Sequence, residues 1–201
     1  MKFLLGLTGS IGMGKSTTAA LFSARGCAIW DADKIVHEAY SAGGLAVIQM
    51  SKILPEVVKS GTVDRKKLKE IVLENPKTLV QIESIIHPLV KRDRENFIKT
   101  NTSKILVFDI PLLFELGTQT KFDAVACVTI SSKIQEERVL SRSGMTKKHL
   151  DVIISKQLSS AEKVARSDYV IDTTSMKSAE LCVENILRDI EERQKNERNS
   201  S

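Results

Sequence analysis

The nine residues Gly9 to Thr17 read GSIGMGKST and follow the apolar run Phe3-Leu4-Leu5-Gly6-Leu7 after one residue, Thr8. They fill the pattern G-x-x-x-x-G-K-[ST] with Gly9, Gly14, Lys15 and Ser16. Each position has a physical job. Gly9, Gly12 and Gly14 permit a tight turn in which the backbone N–H groups of the loop, through Ser10, Ile11 and Met13 to Thr17, converge on phosphate oxygens. Lys15 adds a point charge near the β and γ phosphates, and the Ser16 hydroxyl is a ligand for Mg²⁺. A helix beginning at about Lys15 aims the positive end of its dipole at the same anion. A short buried strand before the loop and the amphipathic text Thr17-Thr18-Ala19-Ala20-Leu21-Phe22 after it supply the context that the motif needs.

The rest of the chain reads as strands and helices grown around that loop. Helix one runs to about Arg25 with Gly26 as its stop. Cys27-Ala28-Ile29-Trp30 is a second short strand that ends in Asp31-Ala32-Asp33. Ligands in open α/β sheets gather beyond the carboxyl ends of strands, so this acidic pair is expected to face the phosphate loop. Residues 34 to about 100 read as helical pieces, broken at Gly43-Gly44 and Pro55 and resuming at Arg65 and Pro76. That is more than a crossover between two strands needs, which makes the insertion a candidate substrate lobe. Within it, Pro88 is expected to end or kink a helix, and His87 is either a ligand contact or a satisfied core histidine.

Further on, Ile105-Leu106-Val107-Phe108-Asp109-Ile110 is a third strand, and Asp109 stands where a Walker-B-type acid would hold the Mg²⁺ shell through water. Residues 124 to 130 form a fourth strand. The helix after it carries Arg138 and Arg142, four apart and so on one face. Such a face is either solvated surface or a lid that brings Arg to a transferring phosphoryl group. Ser143-Gly144-Met145-Thr146 is a turn, Thr146 caps a return helix through Gln157, and Asp168 to Asp172 is the fifth strand. Thr173-Thr174-Ser175 opens a last helix that is expected to fray from Arg188 into a charged tail.

Composition narrows the partners. The apolar residues are chiefly Leu, Ile and Val, which suits an α/β fold with a parallel sheet covered by helices. The excess of 30 basic over 25 acidic residues, +5, is scattered and unaccompanied by stacking aromatics, so a small polyanionic substrate is expected and nucleic acid is not. Cys27, Cys127 and Cys182 are widely spaced among apolar neighbours and read as small buried hydrophobes of a reduced, cytoplasmic protein. No stretch is long and apolar enough to span a bilayer, so no membrane partner is expected, and a monomer is expected.

Beyond the loop, the chain resembles the dephospho-CoA kinase family nearly end to end. The resemblance is carried by GLTGSIGMGKST, Asp31-Ala32-Asp33, His87-Pro88, Asp109-Ile110-Pro111-Leu112-Leu113-Phe114-Glu115, Arg138 and Arg142 followed by Gly144, Gln157, and the strand from Asp168 to Asp172. It implies a three-layer α/β P-loop kinase fold around a five-stranded parallel sheet, a helical CoA-binding lobe at about 34–100 and a lid at about 138–160. The implied reaction moves the γ-phosphoryl group of ATP to the 3′-hydroxyl of dephospho-CoA, giving coenzyme A and ADP. By the same resemblance Asp33 orients or deprotonates the ribose hydroxyl. Lys15, Ser16 and Mg²⁺ hold ATP, with Asp31 reaching the metal through water. Arg138 and Arg142 act from the lid, and His87, Pro111, Leu112, Leu113 and Glu115 line the acceptor pocket.

Some positions depart from the family pattern: Ser167-Asp168 stands for the usual Ala-Asp, and Ser143 stands between Arg142 and Gly144 where an acidic residue is common. Asp172-Thr173-Thr174-Ser175 stands where Asp-Asn-x-Gly is usual, in a stretch that the resemblance places near the adenine of ATP. The alternative enzyme is another small-molecule P-loop kinase, acting on a nucleoside monophosphate or a shikimate-like acid. A GTPase would need an Asn-Lys-x-Asp motif, which the sequence lacks.

Overall fold

The computed structural model describes residues 2–199. In chain order its elements begin with β1 (Phe3–Thr8), α1 (Lys15–Ala24), β2 (Ala28–Asp31), α2 (Ala32–Tyr40) and α3 (Leu45–Ile53). A short hairpin of β3 (Val58–Lys59) and β4 (Thr62–Val63) follows, then α4 (Arg65–Glu74) and α5 (Lys77–Thr100). The chain continues through β5 (Ile105–Asp109), β6 (Ala124–Thr129), α6 (Ser132–Leu140), α7 (Lys147–Ile154), α8 (Ser160–Ala165), β7 (Tyr169–Asp172) and α9 (Met176–Asn199). These elements gather into two units: one of residues up to Trp30 and from Thr102 onward, the other of Asp31–Asn101.

The first unit is built on a five-stranded sheet in the order β2-β5-β1-β6-β7. Its pairs are parallel, with Leu5 opposite Val107 and Ala124, and Ala126 opposite Tyr169. Strands β5 and β6 are buried almost throughout, the continuous apolar text of a sheet covered on both faces. Phe22 of α1 and Val183, Ile186 and Ile190 of α9 close the core against Leu5, Leu7 and Val107. The three- and four-residue spacing of those α9 positions is the stripe that lets a helix seat on a sheet. Burying a side chain of this size is worth about 1.5–3 kcal/mol.

The second unit has its own core, in which Tyr40, Met50, Val57, Ile82, Ile85 and Ile86 pack together. One expectation narrows here, at Pro88, and one fails at the end of the chain. Between the break at Pro55 and the restart at Arg65 the chain makes a 3-10 turn (Pro55–Val57) and the β3–β4 hairpin, whose two-residue turn, Ser60 (φ 50°) and Gly61 (φ 75°), needs positive φ at both positions. Of the two outcomes expected at Pro88, a helix end or a kink, the first does not occur: α5 runs through it from Lys77 to Thr100. The carbonyl that Pro88 leaves without its usual donor belongs to Ser84, which is exposed, while Ile82, Ile85 and Ile86 anchor the other face. Helix α9 likewise persists to Asn199 instead of fraying at Arg188, since Ile186 and Ile190 are still core; residues 200–201 lie outside those described. Among the described residues no helix is long and apolar enough to cross a membrane.

Candidate active site

The phosphate loop leaves the carboxyl end of β1 and closes onto the first turn of α1. Gly14 takes φ +85° as the residue before the helix, and Gly12 takes φ +78°. A Cβ at Gly12 would stand 2.3 Å from Val139 Cγ2, so the loop passes α6 at a distance only glycine allows. Two side chains from distant elements fix its carbonyls. Gln135 Nε2 donates to Ile11 O at 2.8 Å, and Thr173 Oγ1 donates to Met13 O at 2.8 Å. With those carbonyls held from outside, the loop's N–H groups are left to face an anion. Ser10 and Met13 are buried, so they serve through their backbone, whereas Ser16 and Thr17 are exposed at the start of α1.

Lys15 Nζ donates to Asp109 Oδ1, joining the helix start to the end of β5. Asp109 is 3% exposed. Arg138, in the last turn of α6, donates from Nη2 to Thr173 O at 2.9 Å. Arg142 lies just past that helix, with its N–H on Val139 O, so the two arginines share a turn and not a continuous helical face. They nevertheless line one hollow of about 360 Å³ together with Gly12, Gly14, Thr17 and Thr173. Two guanidinium groups, a helix N-terminus and a ring of loop amides in one hollow make a site for a polyphosphate.

Behind β5, Pro111 O receives two donors, Thr8 Oγ1 at 3.1 Å and Lys163 Nζ at 3.1 Å. Lys163 is fully buried and also pairs with Glu115 Oε1 at 2.9 Å. The same Glu115 oxygen accepts the Leu158 N–H at 2.9 Å. Burial raises the Glu115 carboxyl, but the hydrogen bonds from Lys163 and Leu158 and the ammonium charge outweigh it and hold the group below its ordinary value. Leu113, expected in the acceptor pocket, is fully buried, and a Cβ on Gly6 would stand 2.7 Å from its Cδ1. It is core, which corrects that expectation and leaves Pro111, Leu112 and Glu115.

In the helical unit, Asp31 caps α2 by accepting the Lys34 N–H at 3.0 Å, and Asp33 stands exposed in the first turn. His87 is exposed on α5 between buried Ile85 and Ile86 on one side and Leu89 on the other, so it is not a core histidine. A hollow of about 500 Å³ in this unit takes Ile35, Glu38 and Ala39 from α2. At 100° per residue those positions face away from Asp33, so this hollow does not hold what Asp33 touches.

Among the described residues no group of three or more His, Cys, Asp or Glu is arranged to hold a metal. Mg²⁺ is usually held by one or two protein oxygens and the phosphates of its nucleotide, and Ser16 and Asp109 carry oxygens of that kind.

Gln135 and Lys163 were not marked by the sequence motifs. Gln135 sits four before buried Val139, a polar residue at a core-facing position, and that is the signal. Lys163 follows the capping box Ser159–Glu162 and reads as one more surface charge on a short polar helix.

The family model for dephospho-CoA kinase matches residues 3–178. The dephospho-CoA kinase of Ruegeria pomeroyi is 51% identical over 190 residues, covering 94% of this chain and 96% of its own. Among solved structures, a Thermus thermophilus protein superposes with a TM-score of 0.83 at 28% identity, covering 96% of this chain and 97% of its own. The dephospho-CoA kinase from Campylobacter jejuni gives 0.71 at 23%, covering 96% and 100%. With a match that runs through the phosphate loop, β5 and the arginine turn alike, the chain belongs to the dephospho-CoA kinase family.

Proposed function

We propose that this chain transfers the γ-phosphoryl group of ATP to the ribose 3′-hydroxyl of dephospho-CoA, giving coenzyme A and ADP. The observation that carries this reading is that Arg138 and Arg142 line the same hollow as Gly12, Gly14 and Thr17. A loose phosphoryl-transfer transition state spreads negative charge over the equatorial oxygens, so catalysis is mostly positioning and charge neutralisation. Loop amides and Lys15 hold the β and γ phosphates, and the two arginines stabilise the phosphoryl group in flight. Bound Mg²⁺ would neutralise the charge that develops between the β and γ oxygens, with Ser16 as ligand and Asp109 and Asp31 reaching it through water. Asp33 accepts the proton of the acceptor hydroxyl.

The acceptor is assigned to the Pro111–Glu115 loop. Glu115 Oε2 and Gln157 Oε1 are buried with no hydrogen-bond partner among the described residues, which leaves acceptors for N–H or O–H donors of the substrate. Pro111 and Leu112 line that pocket in this reading, and His87 is proposed as a further contact of the acceptor. We place the reaction in the cytoplasm, carried out by a monomer, with no nucleic acid or membrane as partner.

Coupled ADP release with ATP and Mg²⁺, comparing dephospho-CoA, AMP and shikimate as acceptors, tests the reading. Turnover with dephospho-CoA alone is expected. Turnover with AMP or shikimate alone would overturn the acceptor and leave only the phosphate loop standing.

A further inference from the structure

We infer that Lys163 is a positioning residue for this phosphoryl transfer, tying the entry of the phosphate loop, the loop after β5 and the exit of the arginine turn to one buried ammonium. The inference rests on the phosphoryl-transfer reading above. Lys163 has no exposed surface. One of its contacts is Pro111 O, two residues beyond Asp109, and that carbonyl also receives the hydroxyl of Thr8, the residue immediately before Gly9. Its other contact is Glu115 Oε1, which in turn holds the N–H of Leu158, four residues after α7 ends. Three chain segments that touch the nucleotide or the acceptor in the proposed reaction therefore share one cation.

A stabilising role alone is a poor explanation of such a group. Desolvating an ammonium and a carboxylate costs about as much as their attraction returns, so a buried pair seldom stabilises more than apolar residues of the same volume. Its yield is geometry. The ammonium has three donors in fixed directions, and two are committed to atoms on one loop, Pro111 O and Glu115 Oε1. Displacing that loop moves Asp109, and freeing the Leu158 N–H loosens the segment that returns from α7.

The test uses Lys163→Met, which keeps the length of the side chain and removes its charge, and Glu115→Gln, with the double variant beside them. For each, kcat and both KM values are measured with dephospho-CoA, together with Kd for a non-hydrolysable ATP analogue and amide exchange at Leu158. The expected result is a fall in kcat of roughly tenfold to a hundredfold, analogue binding within about threefold of the parent, faster exchange at Leu158, and a double variant no worse than the poorer single one. Turnover within about threefold of the parent in both single variants would overturn the inference, as would a kcat loss matched by an equal loss of analogue binding. If Lys163→Met does not fold, Glu115→Gln decides alone, because it removes the charge that holds the ammonium and leaves the Leu158 N–H a weaker, neutral acceptor. Failure of the parent to phosphorylate dephospho-CoA would count against the proposed function; slow Leu158 exchange retained in Glu115→Gln would count against the positioning role by itself.

Discussion

The hydroxyl of Thr173 donates to the carbonyl of Met13 at 2.8 Å, across 160 residues of sequence. This is the segment in which the chain departs from the usual family pattern, and the departure has a use: a threonine side chain at the end of β7 braces the phosphate loop from outside. Thr173 is 6% exposed, so Thr173→Val keeps the shape and strands a carbonyl at a cost of about 1–3 kcal/mol. Since 1.4 kcal/mol is roughly tenfold in an equilibrium constant, KM for ATP is expected to rise about tenfold while KM for the acceptor stays within about twofold. Thr173→Ser should restore it. Steady-state kinetics with each substrate varied in turn settles the point, and an unchanged ATP KM would remove the brace from the account.

Lys15 and Asp109 form the second such relationship, an ion pair whose carboxylate is almost wholly buried. Lys15→Met is expected to abolish most turnover and, separately, to lower stability, because the carboxylate loses its counter-charge; breaking a buried pair costs roughly 3–5 kcal/mol. Lys15→Met with Asp109→Asn should recover part of the stability and none of the activity. Urea denaturation of the four proteins in the double-mutant cycle gives the coupling. Simple additivity would show that the two groups act independently.

The sheet was legible because its signals are local and redundant. Apolar runs ending in Asp31, Asp109 and Asp172, and the phosphate loop behind Thr8, each announce themselves within about ten residues. What escaped depends on partners far away in sequence. Gln135 and Lys163 become functional candidates only when Ile11 and Glu115 are brought to them. Leu113 shows the reverse case, a residue inside a recognisable motif whose side chain the fold spends on packing against Gly6. The β3–β4 hairpin was hidden because two-residue strands carry no periodicity; only the Ser60-Gly61 turn marks it.

Asp172 gives the structure a pH dependence that can be read with its sign. Its carboxylate accepts hydrogen bonds from Ser178 Oγ at 2.6 Å and from the hydroxyl and N–H of Thr174, and these hold it below its ordinary value. A carboxyl with a lowered folded-state value stabilises the fold above its unfolded value, about 3.9 for Asp, and that contribution disappears as pH falls through the folded value. Asp172→Asn should therefore melt below the parent at pH 7, with the gap closing as the pH is taken under about 4. Glu115 acts in the same direction. A gap that stays constant down to pH 3 would show that ionisation of Asp172 is not the source of its effect.

The two arginines are expected to differ. Arg142 is exposed on the hollow, whereas Arg138 also holds the carbonyl of Thr173. Arg142→Ala should lower kcat by about 10²-fold with little change in either KM, the signature of an interaction made in the transition state. Arg138→Ala should lower kcat and raise KM for ATP as well, because the brace on the loop loosens with it. An effect of Arg142→Ala confined to KM would make it an anchor for the bound substrate.

Asp33 carries the sharpest prediction, because it can be separated from stability. It is exposed in the first turn of α2, and the cap of that helix is Asp31, not Asp33. Removing its charge forfeits only the favourable meeting of a carboxylate with a helix N-terminus, about 0.3–1 kcal/mol. Asp33→Asn should thus fold as the parent does and bind an ATP analogue with similar affinity. If Asp33 takes the proton of the acceptor hydroxyl, kcat should fall by about 10²-fold or more. Steady-state turnover of parent and variant in the ADP-release assay, with analogue binding and urea denaturation measured beside it, separates the loss of rate from any loss of folding or ATP binding. Turnover in Asp33→Asn equal to that of the parent would take the proton-accepting role away from Asp33.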